Sequence, residues 1–294
     1  MNTIEHNTLY SKTIEHQFSG LAEFAAYGNA PCDMPDEERA SLLHHDEPEW
    51  DYCAGYGGAL AMARGGWPGG AQIMRETADK MYEKIAPRVP VFGNTEHAVS
   101  GAAVDIAAYV EGVPECMLEF VESRVDAPKP VDIMISLVFS CDIPADEICN
   151  RGAAILAAVD VLNNRGCAVS IAVNSTITKA AESSGVRYTL SNTFIVHSPG
   201  EVMDIDTLAF CLMHPALLRR LCFAAMEHAP GLYRRVLGIK SGRGYGRTAD
   251  ANIPAGTVYF DKFDTPGRFS TPDKAVETVL NVLKQHGLTI ADER

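Results

Sequence analysis

No stretch of this chain is apolar for long enough to form a membrane helix. The longest apolar stretches, Ile133 to Phe139 and Ala153 to Val159, fall far short of the roughly 18 residues that a span requires. The first twenty residues intersperse charges with apolar positions, and no hydrophobic segment precedes a small-residue cleavage site. A secretory signal is therefore not expected, and a cytoplasmic location is.

Sequence signatures of the common cofactors, metals and nucleophiles are missing too. The turn after the first buried-strand pattern holds Ser140, Cys141, Asp142, Ile143 and Pro144. It lacks the glycines that let backbone N–H groups reach a phosphate, which argues against dinucleotide or P-loop chemistry. There is no GxSxG elbow, no HExxH and no CxxC pair, so serine-hydrolase, zincin and zinc-ribbon readings lose their usual support. The eight cysteines are scattered, mostly among apolar neighbours, and are expected to be reduced core thiols. No cofactor and no metal ion is expected.

What is present is a globular composition, with 47% hydrophobic and 21% charged residues in 294. That content can bury a core and excludes disordered and collagen-like classes. Phe18, Leu21, Phe24 and Tyr27 form a helical stripe that Gly28 can end. Trp67, in the turn GGWPGG, is expected to wedge between two helices.

Two strands, or a strand and a short helix, are expected between Ala98 and Phe120. A buried strand then begins near Val131, a long helix follows Pro144 and ends at Gly166, and a second strand runs to about Ser175. Strand, twenty-residue helix, strand is a βαβ unit with a parallel pair, because a hairpin cannot hold such a connection. A third strand, a helical stretch interrupted at Pro215, a short strand and a last amphipathic helix bearing Val276, Val279, Leu280 and Leu283 complete the pattern.

The expected fold is α/β, with a three-layer-like core and a partly parallel sheet containing βαβ at 131–175. Its architecture resembles the von Willebrand factor A-like folds, although Ser136, Ser140 and Asp142 have the wrong order and spacing for the metal site of that fold. Residues 1–95 read as a mainly helical, acidic region and 96–294 as an α/β domain, with one continuous domain as the alternative.

Charge is the most asymmetric feature. The net charge is -13, yet Arg219 to Arg247 holds seven cations and one acid, Glu227, a local +6 that leaves -19 elsewhere. Asp33 to Asp51 holds eight acids against Arg39 alone. Arg234, Arg235, Lys240, Arg243 and Arg247 could neutralise phosphates beside a glycine-rich backbone, and Tyr245 could stack on an unpaired base. The sharp expectation is a contact to single-stranded DNA or RNA. The opposing one is that these cations pair with the protein's own acids, in particular the 33–51 run.

The segments VPECMLEF, DIMISLVFSCDIPADEICNRGAAILAAVDVLNNRG, DIDTLAFCLMHPALLRRLCFAAMEH and GRGYGR, with the GGWPGG turn, together resemble a family of uncharacterised tailed-bacteriophage proteins carrying a domain of unknown function. The resemblance runs from about Tyr52 to Asp250 and brings no activity and no catalytic residue. It implies synthesis in an infected bacterium's cytoplasm, or carriage in a particle. Three expectations follow. The favoured one is a non-catalytic accessory of phage transcription or replication that binds single-stranded nucleic acid, with single-stranded DNA or RNA, or a phage or host polymerase, as its partner. The second is an enzyme acting on a small anionic or nucleotide-like substrate at the strand ends near Asp142 and Asn174. The third is a structural or host-protein-binding subunit.

Overall fold

A computed structural model describes residues 1–43, 52–53, 55–84, 94–100, 103–104, 106–121 and 129–288. The chain opens with an antiparallel hairpin of β1 (Asn2–Asn7) and β2 (Ser11–Phe18). These two strands precede the helices of the 1–95 region and are not among its expected elements. Thr-Ile-Glu-His occurs at residues 3–6 and again at 13–16, and its period-two alternation sends Ile14, His16 and Phe18 into the core. Helix begins only at α1 (Leu21–Gly28), followed by a 3-10 turn at Asp36–Glu38, α2 (Gly55–Gly65) and α3 (Pro68–Lys84).

A small antiparallel sheet comes next, from β3 (Asn94–Ala98), β4 (Ala103–Val104) and β5 (Met117–Val121), with α4 (Ile106–Val110) between the last two. The main sheet then continues with β6 (Lys129–Ser136), α5 (Ala145–Asn164), β7 (Cys167–Ala180) and β8 (Arg187–His197). After β8 come α6 (Ile205–Met213), a π-helix at Leu217–Cys222, α7 (Phe223–Glu227) and α8 (Gly231–Leu237). The chain closes with β9 (Arg247–Thr248), β10 (Val258–Phe260) and α9 (Pro272–Gln285).

The mixed α/β class and the partly parallel sheet stand. The seven-stranded sheet runs β1-β2-β8-β7-β6-β10, with β9 paired to β7. The β6–β7 pair is parallel, as the helical crossover requires, and so are β6–β10 and β2–β8. The sheet therefore takes strands from both sides of residue 95.

One face of this sheet is mainly apolar, with a buried His16–Asn192 pair among its side chains. Ile133, Ile135, Ile171, Val173, Leu190 and Phe194 join a single hydrophobic core with the helices. Phe24 of α1 stacks on Phe194 at 4.4 Å, and Tyr233 of α8 meets Tyr188 edge-on. The alternate side chains carry hydroxyls and amides bonded across the strands. Asn174 Nδ2 donates to Ser191 Oγ at 2.9 Å and to Thr193 Oγ1 at 2.7 Å.

Helix α5 is buried almost all round from Ile148 to Leu162, which suits a helix between other helices and a sheet. It crosses α6 at Gly152. A Cβ there would lie 2.2 Å from the Leu212 carbonyl oxygen, so only glycine permits this approach. Trp67 takes its expected wedge position: its backbone N–H donates to the Asp206 carbonyl at 2.8 Å and its ring meets His214 edge-on at 4.8 Å. In α9, Val276, Val279 and Leu283 are buried and Leu280 half-buried, while Thr271 caps the first turn. Among the described residues, no single helix is long and apolar enough to cross a membrane.

Candidate functional site

Past Ser136 and Phe260 the chain keeps the two parallel neighbours together. Phe139 and Phe263 form a parallel bridge; Ser140 N–H donates to the Phe263 carbonyl at 3.0 Å, and Phe263 N–H to that of Val138 at 3.0 Å. The start of α5 holds this edge from below. Buried Arg151 donates through Nη1 to the Ser136 carbonyl (2.9 Å) and through Nη2 to those of Phe260 (3.2 Å) and Asp261 (2.9 Å). One turn earlier, the Glu147 carboxylate accepts from the N–H groups of Gly267 (2.8 Å) and Phe269 (3.1 Å). Desolvation lowers the Arg151 pKa to about 10, still well above neutrality, so the side chain remains a cation and binds carbonyls strongly.

Above this edge lies a cleft of about 520 Å³, within the range of small-molecule sites. It sits outside the carboxyl ends of β6 and β10, where β7 and β10 flank β6 on opposite sides, the kind of place where open α/β sheets bind ligands. Its floor is formed by Phe139, Ser140 and Cys141. The π-helix makes one wall and sets Arg219 over the Phe139 ring, at 5.4 Å from the centroid. π-helical turns are rare and concentrate at functional sites. Phe223, half-buried, lies beside Arg219 and stacks on Tyr245 at 4.2 Å and 17°. Arg247, Lys262 and Asp264 add charged groups to the lining. Lys262 pairs with Asp264 at 2.8 Å, which raises the lysine pKa and lowers that of the aspartate.

Tyr245 does not have the role expected from sequence. It is 5% exposed, and its ring is a wall rather than a free platform. Its hydroxyl donates to Glu227 Oε1 at 2.7 Å and accepts from Ala40 N–H at 3.1 Å. Burial, then the Glu227 charge, raises its pKa, so it stays a neutral phenol. Its backbone holds φ of 45° between Gly244 and Gly246, a conformation a non-glycine residue keeps only when its surroundings fix it. What fixes it is Glu227, fully buried and also bonded to Arg39 Nε (2.8 Å), Ser41 N–H (3.0 Å) and Ser41 Oγ (2.5 Å).

The remaining sequence-expected residues gather around a second cleft, of about 350 Å³, on the other side of the 238–248 loop. Arg234, Arg235, Lys240 and Arg243 line it, together with Asp33 and Glu38. Two of these cations are matched by the acidic run: Arg234 Nη2 meets Asp33 Oδ2 at 2.9 Å, and Lys240 Nζ meets Glu38 Oε1 at 2.6 Å. Asp46, Glu47, Glu49 and Asp51, also in that run, lie outside the described residues. Arg235, Arg243 and Arg247 stand exposed, and among the described residues none of the three meets a carboxylate. Arg219 and Arg220, counted in the same basic run, are buried instead.

Of the residues expected at the strand ends, Asp142 is exposed in the turn after β6, and Asn174 is occupied in the hydroxyl network. The aromatic floor and wall, Phe139 and Phe223, carry no local sequence signal. The one hint of the wall's geometry is the pair of glycines flanking Tyr245. Among the described residues, no group of three histidine, cysteine or acidic side chains is placed to hold a metal ion.

No curated protein and no solved structure matches the chain. A family of domains of unknown function, DUF7192, matches it over residues 3–290, nearly its whole length, and the chain belongs to that family.

Proposed function

We propose that the protein binds a small anion of nucleotide type, a planar ring carrying phosphate, in the cleft at the ends of β6 and β10. One observation carries this reading: Arg219, Arg247 and Lys262, the last paired with Asp264, line one cleft with two half-buried aromatic rings, Phe139 past the end of β6 and Phe223 at the start of α7. Cations favour a phosphate and flat apolar walls favour a ring, so one cleft serves both halves of such a ligand. The Arg219 guanidinium lies over the Phe139 ring and Tyr245 stacks on Phe223, so both rings are held in place before the ligand arrives.

The first expectation, single-stranded nucleic acid held by the whole basic segment, keeps narrower support. Tyr245 is not free to stack, and Arg234 and Lys240 are paired with Asp33 and Glu38. Arg235, Arg243 and Arg247 remain for phosphates. A phage setting, with synthesis in a bacterial cytoplasm, belongs to this proposal and rests on the segments that carry the resemblance.

Calorimetric titration with nucleoside monophosphates, matching nucleosides and inorganic phosphate tests the reading. The nucleotide should bind at micromolar to millimolar concentration, tighter than either fragment, and Arg247→Glu should weaken it at least tenfold. Equal binding of phosphate alone, or no nucleotide binding at all, would sink it.

A further inference from the structure

The two clefts are not separate features of the surface, because one loop forms a wall of each. Gly238, Lys240 and Arg243 face the smaller cleft, and Gly244, Gly246 and Arg247 face the larger. From Arg243 to Arg247 is four residues, a span of at most about 14 Å even if fully extended. The loop is also tied down by hydrogen bonds. Gly246 N–H donates to the Leu237 carbonyl at 2.6 Å, Arg243 N–H to that of Lys240 at 3.0 Å, and Ser241 N–H to that of Glu38 at 2.7 Å. Tyr245 is pinned inside by Glu227.

Along this fixed loop the unmatched charge is all of one sign. Arg247 opens on the aromatic cleft, Arg243 stands at the turn, and Arg235 lines the smaller cleft beyond it. Asp33 and Glu38, the described acids of that cleft, are taken up by Arg234 and Lys240. A ligand with one phosphate would engage Arg247 and leave the other two guanidinium groups idle. A ligand with successive phosphates would engage all three.

We infer that the ligand is the end of a single-stranded oligonucleotide, with its terminal ring in the Phe139–Phe223 cleft and its following phosphates crossing Arg247, Arg243 and Arg235. This rests on the nucleotide reading of the larger cleft and adds to it the class of ligand and a second subsite. Three neutralised phosphates imply a salt dependence with a slope near -2 in log affinity against log salt, about three times that of a single contact.

Fluorescence anisotropy with labelled oligothymidylates of one, two, four and eight nucleotides tests the inference, with inorganic polyphosphate as a ringless competitor. Affinity should rise at least tenfold from one to four nucleotides and then level off. The slope should approach -2, and Arg235→Glu with Arg243→Glu should cancel the gain with length. These arginines are exposed, so circular dichroism of the variants serves as the folding control. If the mononucleotide binds but length adds nothing, the strand path is wrong and the cleft reading survives. If no nucleotide of any length binds, both fall. Oligonucleotide binding that survives Arg247→Glu, or that polyphosphate displaces as well as the unlabelled oligonucleotide does, also overturns the inference.

Discussion

The hydroxyl of Tyr245 donates to the carboxylate of Glu227 at 2.7 Å in a fully buried setting, eighteen residues apart in the chain. The same carboxylate gathers Arg39 and Ser41 from the far end of the sequence. A buried charge is tolerated only when its lone pairs are filled, and here four donors fill them. Removing one donor, by Tyr245→Phe, should cost about 1–3 kcal/mol. Urea denaturation of the variant against the parent measures it, and an unchanged midpoint would contradict the assignment.

The crossing at Gly152 gives a second expectation. An added methyl would meet the Leu212 carbonyl at well under van der Waals distance, against backbone that has no freedom to swing away. Gly152→Ala should therefore destabilise by about 1–3 kcal/mol or more, although alanine is the better helix former. A rise in thermal midpoint would show that the α5–α6 contact is looser than described.

Arg151 ties β6 to β10 through three carbonyls. Arg151→Met keeps most of the volume and removes every donor, leaving buried acceptors unmatched. A loss of about 3 kcal/mol or more is expected. Ligand affinity should fall in the same variant wherever it still folds, since the strand ends that floor the cleft would part. Retention of both stability and affinity would refute the positioning role.

A pH dependence follows from two histidines. His16 is pushed below its ordinary value mainly by burial, against a hydrogen bond to Asn192 that opposes the shift. His228 is lowered by burial too, against a bond to the Gly28 carbonyl. Both approach the Tyr27 ring, and Arg39, Glu227 and Asp33 act on His228 through charge. Each is held neutral in the fold, while the unfolded chain takes up a proton near pH 6.5. Their stabilising contribution is thus complete above that value and is lost as pH falls from there towards their lower folded values. The thermal midpoint should drop between pH 7 and 5, and His16→Gln should flatten the profile. An equally steep profile in the variant would exclude His16 as a source.

Much of the scaffold was legible because its signals are local. The β6–α5–β7 unit shows a buried-strand run, a proline before the helix and a glycine after it, and its parallel pairing follows from connection length alone. The apolar stripe of α9 is legible for the same reason. The opening hairpin was masked by its charges: in TIEH the glutamate and histidine hide an alternation that becomes meaningful only once β8 supplies a partner. The burial of Tyr245 was out of reach because Glu227 and Ala40, which hold it, lie 18 and 205 residues away. The cleft depends on Phe139, Arg219, Phe223, Arg247 and Lys262, and apart from the four-residue step from Arg219 to Phe223 no spacing rule brings such distant positions together. The charge runs gave a better guide, since two of the five expected cations meet the acidic run, in Arg234–Asp33 and Lys240–Glu38.

The parallel pairing of β2 with β8 also bears on synthesis. Residues 11–18 leave the ribosome long before 187–197 do, so the first strands wait with their inner neighbour missing. Such high contact order slows closure and leaves an adhesive edge exposed in the meantime. The nascent hairpin is thus the part of this polypeptide most in need of a chaperone, and a fragment cut after β7 would keep that edge permanently open.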